Sequence, residues 1–124
     1  MDGSPQKFDY SAIPAGSDKC ALINIAMDES TSTKNERDFI KDTALPRIGQ
    51  TLPLAPYNYD HVFVCSGSFA GRKGNGSDQY RHQGCTTIAP DGTIKDLNVV
   101  TWANHKGTRE DGWTGMWNAM RDYH

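Results

Sequence analysis

The segment Ala21–Met27, "ALINIAM", is a nearly continuous apolar run carrying two isoleucines. Such a run suits a strand buried on both faces, as in a parallel sheet. A second run of the same kind, "HVFVCS", covers His61–Ser66. Between them Phe39, Ile40, Ala44, Ile48 and Leu52 fall along one helical stripe. Strand, helix, strand is the pattern of a parallel crossover, normally right-handed. The chain is therefore expected to be α/β, a partial or compact Rossmann-like sheet with flanking helices. Thr33 and Glu36 have the spacing of a capping box at the helix start. Pro46 is expected to kink the helix or end it early, because proline lacks a donor and clashes with the preceding turn.

At 124 residues the chain is one domain at most. Residues 1–19 read as a polar lead-in and 20–124 as the folded unit. The net charge of -2 argues against a dedicated nucleic-acid binder. No apolar run approaches the roughly 18 residues that a membrane helix needs. The first residues lack the basic-then-apolar pattern of a secretion signal. Of the three cysteines, Cys65 and Cys85 flank a glycine-rich stretch and could pair; three ordinary thiols are the alternative.

The apolar run turns abruptly into "DESTS", which places Asp28, Ser30 and Ser32 in a D-x-S-x-S pattern. One carboxylate and two hydroxyls are hard oxygen ligands. They suit Mg²⁺, which takes few protein oxygens and keeps several waters, and do not suit zinc. The plainer reading is a helix start, with Ser32 or Thr33 as cap and Asp28 favouring the dipole. In "GSFAGRKGNGS", residues 67–77, Arg72 and Lys73 sit among glycines that could cradle a phosphate. The spacing is not that of a phosphate-binding loop, and no helix pattern follows. Trp113, Met116, Trp117, Met120 and Tyr123 recur at helical spacing, with Glu110 and Asp111 at the N-terminal end of that stripe. A Cys/His catalytic pair would need a base close in space, which no spacing here implies.

"LINIAMDESTST", the amphipathic stretch after it and "YDHVFVCSGSF" together resemble the first half of a von Willebrand factor A domain. That family carries D-x-S-x-S after its first strand as the core of a metal-ion-dependent adhesion site. The resemblance implies a doubly wound α/β sheet and Asp28, Ser30 and Ser32 as ligands of Mg²⁺, or of Mn²⁺ or Ca²⁺. Thr108 is the nearest match to the threonine that a later loop supplies, with a spacing to Gly112 one residue longer than usual. Glu110 and Asp111 are the alternatives. The expected function is a non-catalytic, extracellular-type adhesion module that binds a protein or glycan through the metal. The competing expectation is a protein that sequesters a small anionic ligand with the loop 67–77. A third is a hydrolase built on the same acid and hydroxyls. The resemblance reaches only about half of the family's domain, so a homodimer or a partner chain is expected to complete the fold.

Overall fold

The computed structural model describes residues 8–29, 33–69 and 81–102. Strand β1, Cys20–Asp28, pairs in parallel with β2, His61–Phe69, from Cys20 opposite His61 to Asp28 opposite Phe69. Strand β3, Arg81–Ile88, runs antiparallel to β2, giving a mixed three-stranded sheet in the order β1-β2-β3. The architecture is α/β. The parallel pair is the one expected from the two apolar runs, because each run is too short for a helix and buries side chains to both sides. Ala21, Ile23 and Ile25 pack with Val62 and Val64 on one face. Cys20, Leu22 and Ala26 lie with Phe63 and Cys65 on the other. This alternation is the two-residue period of a strand.

The helical run that joins β1 to β2 spans α1, Lys34–Phe39, a π turn, Ile40–Ala44, and α2, Leu45–Thr51. Pro46 does not end it. The proline sits in the first turn of α2, where its missing N–H costs least, and the wider π turn lies directly before it. The π turn also shifts the apolar stripe. Ile40, Ile48 and Leu52 pack on the sheet as expected, and Leu45 is buried among them. Phe39, expected on that stripe, is 59% exposed.

The helix sits close to the sheet at one point. A Cβ added to Gly49 would lie 2.2 Å from Ile88 Cγ2 and 3.1 Å from the Ala89 carbonyl oxygen. Glycine is what permits that approach.

After β3 the chain turns at "PDG". Gly92 has φ +92°, the Gly92 N–H donates to the Ala89 carbonyl, and the Thr93 N–H donates to Asp91 Oδ1. The return strand is no more than a single bridge, Ile88 opposite Ile94, before a 3-10 turn over Leu97–Val100 buries Val99 and Val100. The opposite face is covered by Phe8 and Ile13, on either side of a 3-10 turn over Tyr10–Ala12. The Phe8 ring meets Phe63 edge-on at 5.1 Å between centroids. Residues 8–13 of the polar lead-in thus belong to the packed structure.

Candidate functional site

In open α/β sheets, ligands bind beyond the carboxyl ends of parallel strands. Here that end is where β1 finishes at Asp28 and its neighbour β2 finishes at Phe69. Four polar side chains are buried at or near it: Glu29, Arg37, Ser66 and Ser68. A buried charge or hydroxyl persists only with partners, and the structure supplies them. Ser68 Oγ donates to Glu29 Oε1 at 2.8 Å. Arg37 Nη1 donates to the Asp28 carbonyl at 3.0 Å and to Thr33 Oγ1 at 2.6 Å. The Thr33 hydroxyl donates to the same Asp28 carbonyl at 2.8 Å. Trp102 Nε1 donates to Ser66 Oγ at 2.7 Å.

These contacts correct the expected capping box. Thr33 makes no side-chain hydrogen bond to the start of α1. Its hydroxyl turns back to the end of β1, because the Asp28 carbonyl and the buried guanidinium offer it two partners there. The strand end and the first helical turn are thereby clamped together through Arg37. That clamp was missed in the sequence. The available signal was a charge on the inner stripe: Arg37 stands three residues before Ile40, and a cation on that side implies a buried acceptor.

Of the residues singled out from the sequence, Asp28 is the last residue of β1 and half-buried. Ser30, Ser32, Arg72, Lys73, Thr108, Glu110 and Asp111 lie outside the described residues, as does the stripe from Trp113 to Tyr123. The glycine-rich stretch begins later than expected. Gly67 and Ser68 are buried strand residues of β2, held between β1 and β3. Gly67 follows a register shift against β3, which leaves Gln83 as the extra residue. Among the described residues, no three His, Cys, Asp or Glu side chains form a group able to hold a metal ion.

Cys65 and Cys85 face each other across β2 and β3 and are joined by a disulfide. Neither is then a thiol, so neither can serve as a nucleophile; Cys20 is the free cysteine, half-buried. Trp102 packs against the helix-side core. No helix among the described residues is long and apolar enough to cross a membrane. No family model matches the chain, and no curated protein or solved structure matches it.

Proposed function

We propose that the chain is a divalent-cation-dependent recognition module whose site lies at the carboxyl end of the β1–β2 pair. The observation that carries this reading is the position of Asp28. It closes a parallel strand at the sheet end where α/β folds receive ligands, and it opens the D-x-S-x-S stretch. Its carbonyl oxygen accepts from Thr33 and Arg37, and on this reading its carboxylate is the group it would turn to a cation. Ser30 and Ser32 follow within four residues along the chain. Mg²⁺ suits such a set, since one carboxylate and a few hydroxyls leave room for retained waters. Mn²⁺ and Ca²⁺ are the substitutes to test. Thr108, or Glu110 or Asp111, would add a further oxygen. A partner's acidic group, from a protein or a glycan, would complete the shell, and the metal would act as a bridge.

On this reading the three strands are one part of a doubly wound sheet like that of the von Willebrand factor A domain. Strand β1 supports the need for a partner. Its sequence is apolar toward both cores, the composition of an interior strand, yet among the described residues it pairs on one side only. The Cys65–Cys85 disulfide supports an oxidising, extracellular-type location.

The test is thermal melting of the intact chain with EDTA, Mg²⁺, Mn²⁺ or Ca²⁺. Metal at about ten times its Kd adds about 1.4 kcal/mol of stability, a rise of roughly 5 °C at this size. Asp28→Ala should keep the fold and lose the rise. An unchanged metal response in that variant rejects the site. Stabilisation by phosphate, with no effect of metal, would favour the anion-sequestering reading.

A further inference from the structure

The second face of the sheet, away from the helix, carries a hollow of about 450 Å³. That volume lies within the range of roughly 300–1,000 Å³ typical of small-molecule sites. Phe63, Cys85 and Thr87 come to it from the sheet, Phe8 and Asp9 from the N-terminal segment, and Lys95 and Asp96 from the chain returning after the turn. The lining combines two phenylalanines and the disulfide with three charged residues, two aspartates against one lysine.

Both carboxylates are held in place by their own turns. Asp9 Oδ1 accepts from the Ser11 N–H at 3.0 Å and from Ser11 Oγ at 2.6 Å. Those bonds keep the Asp9 carboxyl below its ordinary value of 3.8. Asp96 Oδ1 accepts from the Asn98 N–H at 3.0 Å. Each turn uses one oxygen of an aspartate that lines the hollow. Lys95 makes no ion pair among the described residues and sits on a flexible stem, so its charge is the one that can swing away.

We propose that this hollow binds a small organic ammonium ion carrying an aromatic or branched aliphatic body. The body would be covered by Phe63, the disulfide and Thr87. The ammonium would lie toward Asp9 and Asp96, with the Phe8 ring adding cation–π attraction. An anionic ligand of the same shape would meet the two carboxylates and find one mobile lysine. The site does not depend on the metal proposal, because it lies on a different part of the sheet from Asp28.

The experiment is titration of the whole chain with phenethylammonium, followed by calorimetry and by backbone amide shifts in NMR spectra. Phenylpropionate serves as the anionic counterpart and 2-phenylethanol as the neutral one. Phenethylammonium should bind saturably, with a Kd on the order of 1 mM or tighter for so small a ligand. It should perturb residues around Phe8, Phe63, Cys85 and Lys95, and EDTA should change nothing. The anion should bind at least about tenfold more weakly, the difference of repelling charges in place of attracting ones. Asp9→Asn and Asp96→Asn should each weaken binding about threefold, the scale of a partly exposed ion pair. Asparagine can keep each turn, since it accepts from the same N–H. Lys95→Ala should tighten binding by a similar factor. The proposal is overturned if the carboxylate binds as well as the amine, if Lys95→Ala weakens binding, or if the shifts map elsewhere or never saturate.

Discussion

On one face of the sheet a helical run from Lys34 to Thr51 lies so close that one residue must be glycine. On the other, residues 8–13 reach the sheet through Phe8 and Ile13, and a hollow remains beside them. The same strand, β2, is buried from Val62 to Ser68 beneath both covers. The helix face is closed by shape, since apolar side chains and the Gly49 backbone fill the space. The second face is closed by less mass, and there the two strands are also tied covalently by Cys65–Cys85. A thin cover with a covalent tie keeps strand order while leaving room for a ligand.

Removing the tie is the largest test of this contrast. The bridge closes a loop of sequence separation 20. Chain-entropy arguments assign such a loop about 3 kcal/mol of stability. The Cys65→Ala/Cys85→Ala double variant should therefore lose about that amount in urea unfolding. Amide exchange should quicken in β3 before it does in α2, because α2 keeps its own packing. A loss below about 1 kcal/mol would mean that the second face holds itself together without the bond.

The helix face is tested next by Gly49→Ala. An alanine in a helix interior is favoured over glycine by about 1 kcal/mol. The added Cβ, however, meets Ile88 Cγ2 at 2.2 Å. Ile88 is β-branched and 3% exposed, so it has little freedom to turn aside. Overpacking of this kind costs about 1–3 kcal/mol, and the net effect should be a lower melting temperature. A higher one would show that the helix can lift from the sheet, and the two faces would then differ less than described.

What was legible in the sequence follows the same division. The two apolar runs named both parallel strands, because their side chains bury by alternation and need no distant partner to be recognised. The "PDG" turn is legible for a local reason as well: its residue types favour a turn, and the Thr93 N–H donates to Asp91, the Gly92 N–H to the Ala89 carbonyl and the Ala89 N–H to the Thr93 carbonyl, all within five residues. Strand β2 was expected to stop at Ser66 and runs to Phe69. Ser68 reads as a loop residue, yet its hydroxyl is engaged by Glu29, 39 residues away, and the Ser66 hydroxyl at the expected strand end is engaged by Trp102. The clamp of Arg37 on Asp28 and Thr33 was hidden for a similar reason, since it competes with a capping box of acceptable spacing. At the candidate site, the end of β1 was legible and the buried polar layer behind it was not.

The smallest effect concerns how the N-terminal segment is fixed to the sheet. Asp60, just before β2, accepts from the backbone N–H groups of Asp18 at 2.8 Å and Lys19 at 3.1 Å, and its own N–H donates to the Lys19 carbonyl. The Asp18 and Lys19 N–H groups, in that order, hold the Asp60 carboxyl below its ordinary 3.8. A carboxyl whose folded value is depressed adds stability that is complete above its unfolded value and is lost as pH falls through the folded one. The loss should thus begin below about pH 4 and should not touch the neutral range. Asp60→Asn keeps an oxygen for the two N–H groups but has no charge to lose. Its melting temperature should sit slightly below that of the parent near pH 7 and converge on it as the pH falls into the acid range. Because Asp60 is fully exposed, the gap should be small, and salt should narrow it. Curves that stay parallel through the acid range would show that the carboxylate does not hold this junction, leaving the Asp60 N–H on the Lys19 carbonyl, the Lys19 side chain on Tyr57 and Tyr59, and Phe8 on Phe63 to fix the N-terminal segment.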